Sequence, residues 1–149
     1  MPKRLSANPL YAHFGFWLRF VSNHVSESKK KLLEAQGATV TEWVALRTLF
    51  DNPQTSHAAL IEALGITKGA ASKVINRLED KGLACREQAE SSAREQVVLL
   101  TSAGRTLVPR LAALADQNEE HFFGHLSRQE RAALMKTFQD LVARHQLKK

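Results

Sequence analysis

Residues 66–83, ITKGAASKVINRLEDKGL, constrain the chain more than any other stretch. Ala71, Val74, Ile75 and Leu78 fall at i, i+3, i+4 and i+7, so a helix here buries one narrow apolar stripe. The rest of its surface is small, polar and cationic: Lys68, Gly69, Ser72, Lys73, Asn76 and Arg77 lie off that stripe. Thr67 is placed to cap the start, and Gly82 to end it. Gly69 and Ala70 keep the first turn slim enough to approach another surface closely. A helix with donors and cations outward and no bulky apolar group among them has the form of a recognition helix that enters a DNA groove.

The residues before it support that form. Thr39-Val40-Thr41-Glu42 fits a capping box, and Trp43, Leu46, Leu49 and Phe50 supply the next helix with an apolar face up to the stop at Asp51-Asn52-Pro53. Thr55 suits a very short strand. Ser56 caps a third helix, whose inner side is Leu60, Ile61 and Leu64. Gly65 and Ile66 then make a tight turn into the central helix, which is a helix-turn-helix in outline. After Gly82 the period changes. Residues 83–88 and 95–100 read as two strands flanking a polar stretch at 89–94, a hairpin that makes the unit a winged helix.

Helices flank this unit on both sides. Asn8-Pro9 reads as an N-cap and N1 proline, followed by Leu10, Phe14, Trp17, Val21, Val25 and Leu32 at helical spacing to Gln36-Gly37. Phe16 and Phe20 lie off that stripe and add apolar surface. Thr101 caps a helix to about residue 123, with Leu107, Leu111, Leu114, Asn118 and Phe122 on one side and Pro109 inside it. Gly124 ends it. Ser127 to Glu130 then opens a last helix with Leu134, Phe138, Leu141 and Val142 inward. Three such helices carry more apolar surface than a small winged helix can cover, so a second subunit is expected to bury the remainder.

Composition narrows the function. The 149 residues carry a net charge of +6, which suits a polyanionic partner, and signs are interspersed along the chain. A single cysteine, Cys85, rules out an intramolecular disulfide or a multi-cysteine zinc site. Neither a membrane-spanning apolar run nor a signal-peptide pattern is seen, so the expected location is cytoplasmic. His121 and His125 have the i, i+4 spacing of two metal ligands, with no further ligands fixed nearby, and neither a metal nor a cofactor is expected. There is no phosphate-binding glycine loop, no nucleophile elbow and no serine or cysteine with an evident base, so the chain does not read as an enzyme.

The order of elements and several local sequences resemble the MarR family of bacterial transcriptional regulators across nearly the whole chain. The likeness is carried by ASKVINRLEDKGL at 71–83, by Arg86, by VVLLT at 97–101 with Gly104, and by LSRQE at 126–130. It implies a homodimer with a winged helix in each subunit, and release of DNA when a small aromatic ligand binds. Two positions depart from the family pattern. Ser92-Ala93-Arg94 stands where D-x-R is usual, which keeps the wing arginine but not the carboxylate that orients it. Ile61 stands where a small residue is common.

The expected fold is therefore mainly α with a small β-hairpin. Residues 1–38 form a dimerisation helix, 39–101 the winged helix-turn-helix, and 102–149 two more dimerisation helices. Thr67, Lys68, Gly69, Ser72, Lys73, Asn76, Arg77 and Arg94 are the expected DNA-binding residues: Lys and Arg for phosphate or guanine, Asn for bidentate pairing with adenine. Tyr11, Phe14, Trp17 and Trp43 are nominated as an effector pocket. The alternative function is a winged helix used for protein interaction without specific DNA binding, which would leave the outward cations no polyanion to meet.

Overall fold

The computed structural model describes residues 7–148, and of Ser92 and Ala93 the backbone only. The basic tail at Lys3 and Arg4 lies outside the described residues. Six helices and a three-stranded sheet follow one another along the described chain: α1 (Phe14–Ala35), α2 (Val40–Asp51), β1 (Thr55–Ser56), α3 (His57–Leu64), α4 (Lys68–Asp80), β2 (Ala84–Ala89), β3 (Ser92–Leu100), α5 (Ser102–Phe123) and α6 (Arg128–Arg144).

The helix starts are set by hydroxyl caps. Thr39, Ser56, Thr67, Thr101 and Ser127 each accept a hydrogen bond from the backbone N–H three residues on. Each such cap stabilises its helix by about 1 kcal/mol. Two C-termini are equally explicit. After α1, Ala38 N–H donates to Leu33 O and Gly37 N–H to Glu34 O; after α4, Leu83 N–H donates to Leu78 O and Gly82 N–H to Glu79 O. Gly37 and Gly82 adopt φ of +76° and +70°, so both ends are Schellman motifs.

The start of the first helix departs from expectation. Leu10–Ala12 form a single 3-10 turn, His13 is extended, and α1 begins only at Phe14, with no side-chain cap at either start. The indole N–H of Trp17 donates to the Tyr11 carbonyl at 2.7 Å, taking an acceptor that a continuous helix would use for its own ladder. The turn is thus held back against α1.

The sheet order is β1-β3-β2, all antiparallel. β1 is the expected short strand, and it pairs Thr55 with Val98 and Ser56 with Val97. The hairpin is longer than its sequence suggested. Its strands reach Ala89 and Ser92 with an irregular register after Gln88, so Arg94 lies within β3 and not in the turn.

Leu46, Leu60, Ile75, Leu78, Val98, Val108 and Leu111 are fully excluded from solvent, and with Leu33, Trp43 and Leu49 they form one core beneath α2, α4, the sheet and the first half of α5. Burying each large side chain contributes about 1.5–3 kcal/mol. The start of α5 is tied to the end of α4: Thr101 Oγ1 donates to Gly82 O at 2.6 Å, and its backbone N–H donates to Leu83 O. Gly104 follows from the same junction, because a Cβ there would run into the Leu83 carbonyl. Two expectations about burial are corrected. Phe50 of α2 is exposed at the helix end, and Phe138, Leu141 and Val142 of α6 are exposed, the first two along a groove shared with α1 that the described chain does not fill.

Candidate nucleic-acid interface

α4 is divided lengthwise. Ala71, Val74, Ile75 and Leu78 are all buried, which fixes the helix against α2 and α3, while Lys68, Gly69, Lys73, Asn76 and Arg77 are exposed and Ser72 is half-buried. Seven of the eight expected contact residues thus lie on one helix with its N-terminal cap. Thr67 already accepts from Ala70 N–H at 3.2 Å, so its hydroxyl has a donor left for an outside partner. A Cβ at Gly69 would meet nothing within 4 Å. The glycine is therefore not required by packing among the described residues, and the surface beside it is open.

The pleat of the sheet sets the faces of the regularly paired wing residues. Ala84, Arg86 and Gln88 of β2 stand opposite Leu100, Val98 and Gln96 of β3, and this face carries the buried side of the sheet. Arg94 is exposed and falls where the pairing is irregular, between Ser92 and Gln96 of β3. Cys85 and Glu87, opposite Leu99 and Val97, lie on the other face together with Glu95. Arg86 and Glu87, neighbours in β2, therefore lie on opposite faces of the sheet.

Arg86 borders the candidate interface, although motif reading passed over it except as part of a family likeness. Its guanidinium forms an ion pair with Glu79, and its Nη2 donates to Asn76 Oδ1 at 3.0 Å. Strand β2 is thereby tied to the exposed flank of α4. Its signal in the sequence is only its parity, two residues beyond the inward-facing Ala84. His57, the first residue of α3, lies near the same group. Burial, then the positive charges of Arg86 and Lys68, push its imidazole pKa below the ordinary value.

A second link joins the far end of α4 to the helices before it. Lys81 Nζ lies 2.6 Å from Glu42 Oε2 and 2.7 Å from Gly37 O, and the Glu42 side chain is 2% exposed. The expected capping box at Thr39 is thus half used: Glu42 N–H donates to Thr39 Oγ1, but its carboxylate takes Lys81.

The four aromatic residues nominated as an effector pocket are not brought together. Trp43 is 8% exposed and belongs to the core. Tyr11 contacts the rings of Phe16 and Trp17, in a row that continues through Phe20 to His24. Phe14 and Trp17 instead line an apolar groove of about 690 Å³ with Val21, Phe123, Leu134 and Phe138. His121 packs edge-on against Phe122. Among the described residues no group of three or more His, Cys, Asp or Glu could hold a metal ion, and no helix is long and apolar enough to cross a membrane.

A helix-turn-helix whose second helix buries its apolar side and exposes a cationic one, followed at once by an antiparallel hairpin, defines the winged-helix class of DNA-binding proteins. The family model described as MarR family matches residues 38–96, from just before α2 into β3. The HTH-type transcriptional repressor Rv2887 of Mycobacterium tuberculosis is 33% identical over 103 residues, which cover 69% of this chain and 74% of the relative. Two solved structures share the fold. BpsR of Bordetella bronchiseptica, whose DNA binding is regulated by 6-hydroxynicotinic acid, superposes with a TM-score of 0.76 at 24% identity, over 91% of this chain and 97% of its own. MepR of Staphylococcus aureus in complex with DNA gives 0.76 at 21% identity, over 88% and 97%. The chain belongs to the MarR family, and it is a winged-helix transcriptional regulator.

Proposed function

We propose that the protein is a repressor that binds an inverted repeat in duplex DNA as a homodimer and responds to a small aromatic ligand. The observation that carries this reading is the lengthwise division of α4, with every apolar stripe residue buried and Lys68, Lys73, Asn76 and Arg77 left outward. In this reading Lys73 and Arg77 meet phosphates, Ser72 and Asn76 meet base edges, and Thr67, Lys68 and Gly69 form the close first turn. Arg94 extends the contact into a neighbouring minor groove, whose negative potential attracts a guanidinium.

The homodimer is supported by the groove between α1 and α6, whose apolar residues would be covered by the same groove of a second copy. Residues 1–38 and 102–149 then act as the dimerisation layer around the winged helix at 39–101. A ligand response is supported by the regulation of BpsR by 6-hydroxynicotinic acid. Here the aromatic surface open to such a ligand is Tyr11, Phe14 and Trp17, without Trp43.

Selection of bound DNA from a random pool at low salt tests the reading. It should enrich an inverted repeat with half-sites one helical turn apart, ~34 Å centre to centre. A folded variant with Ser72, Lys73, Asn76 and Arg77 all changed to alanine should lose that enrichment, and Arg94→Ala should weaken binding and flatten its salt dependence. Absence of any enriched sequence would overturn the proposal in favour of a protein-interaction module.

A further inference from the structure

We infer that Arg86 is a positioning residue that fixes Asn76 as a hydrogen-bond donor toward DNA, so that Asn76 selects guanine and not adenine. The inference rests on the DNA-binding reading above and deepens it to one residue and one base. A guanidinium has donors only, so the Asn76 atom 3.0 Å from Arg86 Nη2 must be the amide oxygen. The orientation of this amide follows from the chemistry of its neighbour. The amide nitrogen, with both its N–H groups, is then the end turned away from Arg86.

Arg86 is itself held. Glu79, three residues beyond Asn76 on the same flank of α4, pairs with its other terminal nitrogen, and the two side chains are only 23% and 31% exposed. A charge-assisted pair of this kind is stronger than a neutral hydrogen bond, so the guanidinium does not leave it readily. The strand beneath is anchored too, because Arg86 stands opposite Val98, which is fully buried.

The consequence is a change in what Asn76 reads. A free asparagine pairs bidentately with adenine by accepting from N6 and donating to N7. With its oxygen turned toward Arg86, Asn76 presents its amide N–H groups on the other side, and guanine offers two acceptors in the major groove, O6 and N7. The amino group of adenine meets a donor and is disfavoured.

Random-pool selections with the full-length protein test this, comparing the wild type with Asn76→Ala, Arg86→Met and Arg86→Lys. The base pair whose preference collapses in Asn76→Ala identifies the position read. The wild type should prefer guanine there by about tenfold, within the range of a good two-bond base contact. Arg86→Met, which keeps the apolar stem but has no donor, should reduce that preference below about twofold or pass it to adenine, while preferences elsewhere in the half-site stay as they are. Arg86→Lys keeps a donor and should retain guanine, which a merely structural role for Arg86 would not require. Adenine at the position lost in Asn76→Ala overturns the inference using the wild type and Asn76→Ala alone, whether or not an Arg86 variant folds. An unchanged guanine preference in a folded Arg86→Met overturns it as well. Either result leaves DNA binding standing, whereas failure of the wild type to enrich any sequence overturns that reading and this one with it.

Discussion

In the winged helix, Leu46, Leu60, Ile75, Leu78 and Val98 have no solvent exposure, whereas α6 has no buried residue, and α1 buries only Leu33 among its 22. Both regions carry apolar stripes at helical spacing. In the winged helix the stripe of each helix finds another helix or the sheet within about 60 residues of chain. In the terminal layer Phe14, Trp17, Phe138 and Leu141 face a groove that the described chain does not fill. The difference shows that periodicity records a side to be covered without recording which atoms cover it. One region is complete as a single chain, and the other is left open by the described residues.

The largest expected effect lies in the complete region. Leu78→Ala empties a site with no exposure in the recognition helix and should cost about 2–5 kcal/mol, whereas Leu141→Ala, the same deletion on an exposed stripe, should cost a dilute single chain far less. Urea unfolding of both variants at low protein concentration compares them. Equal losses would break the distinction between a finished core and an unfinished layer.

Phe138→Glu addresses the unfinished layer directly. A carboxylate in the groove would be desolvated by a second copy, so association should weaken at least about tenfold while helix content is kept. Sedimentation across a concentration series reads the first, and circular dichroism the second. A variant that stays as associated as the wild type would show that another surface carries the dimer.

The third effect concerns the link between the regions. Lys81→Met leaves the Glu42 carboxylate buried without its cation and frees Gly37 O, at the corner where α1 meets α2. The expected loss is about 1–3 kcal/mol. Adding Glu42→Gln should recover part of it, because a neutral amide has less to lose from burial. Strictly additive losses in the double variant would mean that the pair is not coupled.

These contrasts explain what could be read in the sequence. The caps at Thr39, Ser56, Thr67, Thr101 and Ser127, the turns at Gly65 and Gly82 and the buried stripe of α4 are local, set by residues three or four apart, and all of them are found as expected. The misplaced features depend on partners distant in sequence or absent from the chain. α1 starts later than the Asn8-Pro9 signal predicts, where an indole six residues on takes the Tyr11 carbonyl. Phe138, Leu141 and Val142 were expected inward because a stripe alone does not tell a second subunit from the same one. Trp43 was grouped with Tyr11, Phe14 and Trp17 by residue type, while the fold commits it to the core. Arg86 and Asn76, ten residues apart, meet only because the chain reverses at Gly82, so no spacing rule connects them.

The smallest expected effect is a pH dependence confined to the winged helix. His57 opens α3 half-buried, with Arg86 and Lys68 nearby, and burial first and those charges second hold its imidazole pKa below the ordinary value. In the unfolded chain the same imidazole takes up a proton as pH falls through about 6.5. The unfolded state therefore binds more protons than the folded one in that window, and stability must decrease as pH falls through it, levelling once the folded imidazole is also protonated. Above the window His57 is neutral in both states and contributes no slope. His57→Gln keeps a polar group without a titrating nitrogen, so the wild type should lose stability relative to the variant as pH is lowered from 7.5 to 5, with no divergence between 7.5 and 8.5. Urea midpoints at half-unit intervals give the comparison. Parallel midpoints across the whole range would mean that neither the burial of His57 nor the cations beside it separate its folded and unfolded pKa values.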